Sequence, residues 1–220
     1  MRLSRTLIVV LAGLPCPALA SDDPFTCLAT CPSAGEVIAT STSTSITIPP
    51  RESGSAAFIT QIGDEETASI RQQSTTQFAR ITQGGRGDGA SVTQMNEGAH
   101  YAQVDQAGAG QLLMLVQAGD GAQSAILSQT GENNTMSVAQ AGVSSNDVMA
   151  SQNGSGNDIA VAQTGGQNAA RLTQFGNADR MNVVQNGFGN QLTWTQTGDN
   201  LAALQVTQNG NQALAIAQSR

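Results

Sequence analysis

The stretch Asn157-Asp158-Ile159-Ala160-Val161-Ala162-Gln163-Thr164-Gly165 decides the fold, because its spacing recurs along most of the chain. Asn157, Ile159, Val161 and Gln163 stand at every second position, which is the period of one face of a β-strand. Outward from this unit, Gln recurs fourteen more times, and nine of the fourteen intervals are 11 residues long. The spacing predicts one strand per unit. The glutamines of this Gln column are Gln61, Gln72, Gln83, Gln94, Gln106, Gln117, Gln129, Gln140, Gln152, Gln163, Gln174, Gln185, Gln196, Gln208 and Gln218.

Three other features keep a fixed distance from each Gln. Residues two and four positions before it are apolar and form two apolar columns. The residue six positions before it forms a polar column, which contains Asn134, Asn146, Asn157, Asn168 and Asn190 and fails at Ala202. Two positions after the Gln, a glycine column is expected to mark the turn, where positive φ is easily adopted. Its members are Gly63, Gly85, Gly108, Gly119, Gly131, Gly142, Gly154, Gly165, Gly176, Gly187, Gly198 and Gly210; Ser74 and Asn96 are the exceptions.

This pattern predicts an all-β fold, a β-solenoid of cross-β type over residues 55–220. About fifteen 11-residue strand-turn units would lie in two facing parallel sheets, with two units per rung. One unit cannot bury its apolar face alone, whereas stacked neighbours can. The inward amides need partners, and we expect each side chain to donate to one neighbour and accept from the other, forming a structural amide ladder.

The amino-acid composition excludes several classes of structure and function. The chain has 220 residues with 11% charged and 3% aromatic residues, 24 Gly and no Lys. Few aromatics argue against an ordinary globular core. A chain starting at Ser21 keeps seven Arg against 16 acidic residues, a net charge of 7 − 16 = −9. We therefore expect no nucleic-acid partner, which would need a basic face. No stretch after the first 20 residues is apolar enough for insertion into a lipid bilayer.

Residues 1–54 differ from the repeats. Residues 1–20 read as a secretory signal peptide, with Arg2 and Arg5 before a short apolar run and a small-x-small site ending at Ala20. Residues 21–54 are interpreted as an N-terminal leader and linker. Cys27 and Cys31 lie within it, and an oxidising compartment would permit a disulfide between them. Free thiols are the alternative, and the pair is only half of a metal site.

The repeated unit resembles the curlin repeat of bacterial curli fibre subunits. The copies ending at Gly165 and Gly198 show the resemblance best, and it covers residues 55–220. It implies export through the periplasm and a curli-type outer-membrane secretion channel with its accessory proteins. It also implies that residues 21–54 stand where the family has its channel-targeting segment. Self-association into amyloid fibres at the cell surface, serving adhesion and biofilm matrix, would follow.

Other functions are weighed against this hypothesis. One alternative is a monomeric β-solenoid that binds ice or polysaccharide, although outward Thr pairs are not regular. Another is a carbohydrate-active enzyme, since a carboxylate pair for glycoside hydrolysis is possible on a β-solenoid. We expect no enzyme activity, no cofactor, and no catalytic or metal residues, because His100 lacks the partners that such a site needs. The tripeptide Arg86-Gly87-Asp88 lies in a Gly-rich turn, where it could be exposed for adhesion, but Gly and Asp are also ordinary turn residues.

Overall fold

The computed structural model describes residues 36–41 and 55–220. Within them it contains only β-strands, joined by short turns. The strands are β1 (Glu36–Ser41), β2 (Ala56–Asp64), β3 (Glu66–Gln72), β4 (Phe78–Arg86), β5 (Gly89–Gln94), β6 (Tyr101–Ala109), β7 (Leu112–Ala118), β8 (Gln123–Glu132), β9 (Thr135–Ala141), β10 (Asn146–Ser155), β11 (Asp158–Gly166), β12 (Asn168–Phe175), β13 (Arg180–Phe188), β14 (Gln191–Thr197), β15 (Leu204–Asn209) and β16 (Ala213–Ser219).

Successive strands from β2 to β16 alternate between two parallel sheets. Sheet A has the order β1-β3-β5-β7-β9-β11-β13-β15, and sheet B runs from β2 to β16 through the even-numbered strands. Two consecutive strands therefore make one rung, and each strand pairs with the strands one rung away. The register aligns Gln with Gln throughout, for example Gln163 with Gln140 and Gln185. The all-β solenoid prediction is confirmed.

The apolar columns form one continuous core between the sheets. All their members are buried except three near the end of the chain, Leu204, Leu214 and the partly buried Ile216. Trp194 fits inside this core and is fully buried. Every second residue points inward because a strand presents alternate side chains to opposite faces. The period-2 pattern therefore sets both the core and the rung.

One strand was not predicted. β1 comes from the segment interpreted as leader and linker, and it pairs antiparallel with β3, so that Glu36 lies opposite Arg71 and Ser41 opposite Glu66. The remaining residues of that segment, including Cys27 and Cys31, lie outside the described residues, as does the expected signal peptide.

Close packing between rungs is a second reason why the positions of the glycine column are glycine. Eleven of the twelve glycines have positive φ, as the turn argument requires, but Gly142 does not. In seven units the strand continues through the glycine, so the reversal comes later than expected. A Cβ at Gly142 would lie 1.7 Å from the Gly165 carbonyl oxygen of the next rung. Close stacking of backbone on backbone thus excludes a side chain even where φ would allow one.

The reversal itself uses a position that the sequence did not reveal. Four residues after the Gln, nine units have positive φ, and only four of these nine residues are glycine. The nine are Glu65, Gly87, Gly110, Asn133, Gly156, Gln167, Ala178, Gly189 and Asn200. Because this position has no common residue type, the sequence repeats do not indicate it.

Among residues 36–41 and 55–220, no helix has the length and apolarity needed to cross a membrane.

Candidate functional site: the amide ladders and the end rungs

The fifteen residues of the Gln column lie in two continuous ladders, one along each sheet. In every step, Nε2 of one Gln donates to Oε1 of the Gln one rung later, over 2.7–3.0 Å. Gln163 Nε2, for instance, donates to Gln185 Oε1 at 2.7 Å. All thirteen bonds have the same direction. Each ladder therefore has an acceptor end at the first rung and a donor end at the last.

The second amide hydrogen of these glutamines connects the two sheets. Gln163 Nε2 also donates to the Asp147 backbone oxygen at 3.0 Å, and Gln94 Nε2 donates to the Phe78 oxygen at the same distance. The accepting residue lies 16 or 17 positions earlier, on a strand of the opposite sheet. A shorter side chain would not span the interior. The Gln column thus fixes register along each sheet and the separation between the sheets.

The polar column uses a different bond from the one we expected. Asn134 and Asn157 do not bond to each other through their side chains. Instead, the Asn157 backbone N–H donates to Asn134 Oδ1 at 3.0 Å, and Asn134 Nδ2 donates to the Gly154 oxygen at 2.9 Å. In sheet B the side chains do form a ladder, because Asn168 Nδ2 donates to Asn146 Oδ1 at 3.0 Å, and Asn190 repeats the contact on Asn168. The shared requirement is an acceptor for the backbone N–H of the next rung.

That requirement explains His100. The Gln123 backbone N–H donates to His100 Nδ1 at 3.3 Å, and His100 Nε2 lies 2.8 Å from the Met95 backbone oxygen. With Nδ1 accepting, Nε2 carries the proton and the ring is neutral. Burial lowers the pKa of His100, and the Met95 contact opposes this shift in part. The single histidine therefore serves as a structural member of the polar column.

The polar column also holds buried carboxyl groups near the first rungs. Both oxygens of Glu66 and Oδ2 of Asp88 are buried without a hydrogen-bond partner. Burial, with the neighbouring Asp88 as the next cause, raises the pKa of Glu66 from its ordinary 4.5 to about 7. Burial raises the pKa of Asp88 as well. Asp88 Oδ1 accepts from the Gln111 N–H at 2.9 Å, so the Arg86-Gly87-Asp88 tripeptide does not present its carboxyl group to solvent.

The last rung of the stack exposes rows that the interior buries. At the last rung, Leu204 is 40% and Leu214 is 43% exposed, whereas other members of their column are buried. β15 and β16 are the last strands in the order of their sheets. At the first rung, Gln72 Oε1 is buried without a donor among the described residues. Unpaired strand edges of this kind are templates for another strand.

Within residues 36–41 and 55–220, no group of three or more His, Cys, Asp or Glu side chains is placed to hold a metal ion. The residues that the sequence singled out lie in two amide ladders, a polar column and a glycine column of one stack. This geometry defines a β-solenoid repeat protein.

The family follows from a match to the repeat itself. The model of the curlin associated repeat matches residues 144–176, three consecutive units that contain Gln152, Gln163 and Gln174. The chain therefore contains curlin repeats over residues 144–176, and this stretch has the same column spacing as the rest of residues 55–220. The family is a structural, non-enzymatic one. No curated protein matches the chain.

Proposed function

We propose that the chain is a secreted structural subunit that assembles into curli-like amyloid fibres at the cell surface, for adhesion and biofilm matrix. The observation that carries this proposal is the pair of end rungs. The last rung offers open strands and exposed apolar residues, and the first rung carries the same columns in the same order, with Ala57 and Ile59 buried there. A head-to-tail contact between unlike ends of one molecule generates a filament.

The ladders favour one orientation of that contact. In sheet B, the donor end of one copy, at Gln218, would meet the acceptor end of the next, at Gln61. Two like ends would bring acceptor against acceptor or donor against donor. Leu204 and Leu214 would also be covered, which removes apolar surface from water. Fibre diffraction should then show spacings of about 4.8 and 10 Å.

The alternative of a monomeric solenoid that binds ice or polysaccharide has weaker support. Its outward row beside the Gln column would need a regular array. Sheet B instead places Thr82 beside Asp105 and then Ser128, and sheet A places Thr93 beside Val116 and then Ala139. The outward surface varies from rung to rung, whereas the inward rows are kept.

A single residue at the end rung tests the proposal. Leu214→Lys places a charge in an inward row of β16, where the next copy would bury it without a partner. Ala215→Lys, one position further on the outward face, is the matched control. Dye binding, sedimentation and electron microscopy should show fibres from the natural chain and from Ala215→Lys, with strongly slowed growth for Leu214→Lys. Equal growth of the two variants, or a natural chain that stays monomeric, would refute the proposal.

Export is proposed on the curlin repeats and on residues 1–54. The signal peptide would direct the chain to the periplasm, and residues 21–54 would engage a curli-type secretion channel. Expression in a host with and without that channel should give surface fibres only when it is present. A chain lacking residues 2–20 should remain inside the cell in both hosts.

A further inference from the structure

β1 gives the two sheets equal numbers of strands. The strands from β2 to β16 alternate between sheets, so these fifteen strands place eight in sheet B and seven in sheet A. β1 is the eighth strand of sheet A, and it lies on the side of β3 that faces away from β5. An odd number of alternating strands therefore becomes eight complete pairs.

This count matters where two copies meet. If both copies keep their sheets, β2 of one copy adds to β16 of the preceding copy in sheet B. In sheet A, β3 would then lie two strand positions beyond the preceding β15, which leaves one empty position. β1 occupies that position. Without it, a stretch of β15 and β3 backbone would be left unpaired inside the fibre, at a substantial cost.

We propose that β1 is the junction strand of the fibre, pairing with β3 of its own copy and with β15 of the preceding copy. This inference rests on the proposed function, since it names the contact between subunits. β1 and β15 each contain six residues, so their edges match in length.

The register supports the same placement. Val37 and Ala39 lie opposite Ile70 and Ala68, which belong to the two apolar columns. Ile38 lies opposite Ser69, and the row through Ser69 continues strand by strand along sheet A to Gln205. Two of the three apolar residues of β1, Val37 and Ala39, therefore take register positions in the apolar columns of sheet A. If β1 pairs with β15 of the preceding copy in the same register, Ile38 lies beside Gln205 of that copy.

A competing junction uses no β1. The next copy could exchange its sheets, so that its β2 adds to β15 and its β3 adds to β16, with β1 displaced. Both sheets carry the same columns, and this arrangement would also continue the stack. The two junctions differ in the neighbour of Phe58, which stands three positions before Gln61 on β2. Phe58 lies beside Ala215 in the junction with β1 and beside Gln205 in the junction without it.

Disulfide trapping distinguishes them in the mature chain with Cys27→Ser and Cys31→Ser. Neighbouring strands are about 4.8 Å apart, within the Cα separation that a disulfide bridges. We expect fibres of the Ile38→Cys/Gln205→Cys and Phe58→Cys/Ala215→Cys variants to oxidise into covalent multimers, seen on a non-reducing gel after dissolution. Fibres of Phe58→Cys/Gln205→Cys should dissolve to monomers. The reverse pattern, multimers only from this last variant, would overturn the proposal.

Removal of residues 36–41 gives a second test. In the Phe58→Cys/Gln205→Cys background, the deletion should convert monomers into covalent multimers, because the sheets must now exchange at each junction. In the Phe58→Cys/Ala215→Cys background, it should abolish the multimers. Unchanged patterns after deletion would show that β1 is not at the junction. Fibres with the wrong cross-links would refute the junction alone, whereas a chain that forms no fibres would refute the proposed function with it.

Discussion

The first half of the solenoid and the second half fill the same interior in different ways. In residues 66–125, long or ionisable members of the polar column stand two positions before an apolar column that is mostly Ala. In residues 134–192, short polar side chains, mainly Asn, stand before mostly larger apolar ones. The first set of pairs is Glu66 with Ala68, Gln77 with Ala79, Asp88 with Ala90, His100 with Ala102, Gln111 with Leu113 and Gln123 with Ala125. The second set is Asn134 with Met136, Asn146 with Val148, Asn157 with Ile159, Asn168 with Ala170, Asp179 with Met181 and Asn190 with Leu192.

The difference shows that a larger side chain in the polar column compensates for a smaller one in the neighbouring apolar column. The Gln column, in contrast, has the same residue in every unit. Protein interiors are close-packed, so a smaller apolar residue requires a larger polar neighbour. The first half therefore buries more polar atoms and less apolar surface than the second. Both halves keep the same register, because that depends on the glutamines.

The largest expected effect concerns what the halves share. Gln163→Glu with Gln185→Glu in the second half, or Gln94→Glu with Gln117→Glu in the first, places two like charges one rung apart in a buried ladder. Unpaired buried charges cost several kcal/mol each. We expect both pairs to abolish fibre growth at neutral pH, with partial recovery in acid as the carboxyls protonate.

The control is Gln167→Glu with Gln191→Glu, because both side chains are exposed and neither lies at a junction strand edge. It adds the same charge and should assemble like the natural chain. If only one half responded to the ladder substitutions, the ladder would not be equivalent in the two halves.

The next effect would break the symmetry between the halves. A segment of residues 145–220 should assemble faster than one of residues 55–130, which has the same length. Each Ala-to-Leu difference is worth up to about 2.4 kcal/mol, at about 0.8 kcal/mol per buried CH₂. Hydrogen exchange on full-length fibres should show deeper protection after residue 145. Deeper protection before residue 110 would reverse the order.

Titration of Glu66 should affect the first half alone. Because its folded-state pKa is raised to about 7 from 4.5, this group favours folding fully below about pH 4.5. The contribution is lost as the pH rises through 7. Glu66→Gln should therefore raise the stability of the early rungs at pH 8 and flatten the pH dependence, since Gln77 and Gln111 occupy the same column. The exposed Glu132→Gln is the control, and an equal change in both variants would contradict the assignment.

The smallest effect tests the volume exchange directly. Ala125→Leu alone overfills a buried site and should cost about 1–3 kcal/mol. Combined with Gln123→Asn, it recreates the Asn-with-large-residue pair of the second half, and much of that cost should be recovered. A double-mutant cycle on unfolding of the full chain measures this coupling. Additive costs would show that the two columns pack independently.

The sequence was sufficient for the strands, their inward faces and the two-strand rung. Gln163 and its equivalents recur at nearly constant spacing, and a one-residue slip would move every apolar side chain outward. Rungs of 22 and 23 residues occur side by side, as in Gln163 to Gln185 and Gln185 to Gln208, and the ladder absorbs both. The extra residue is taken up in a turn.

The remaining features depend on contacts that the spacing of the repeated residues does not predict. β1 pairs across the chain with β3, and six residues in a Ser/Thr-rich leader give no periodic signal. The bond made by Asn134 goes to backbone rather than to Asn157, because the next backbone N–H needs an acceptor. His100 and Asp88 can occupy the same column as Asn because each accepts a hydrogen bond from the backbone N–H of the next rung. The residue types alone do not indicate this shared role.

The common direction of the glutamine bonds has an electrostatic consequence. Strand dipoles largely cancel in a sheet, but the fifteen side-chain amides that these thirteen bonds align along one axis add their dipoles, as peptide groups do in a helix. The end at Gln61 and Gln72 becomes electronegative, and the end at Gln208 and Gln218 electropositive. Successive bonds in such a chain also polarise one another. Each added copy would lengthen the dipole, so a growing fibre would have a positive tip and a negative tip that respond differently to ions in solution.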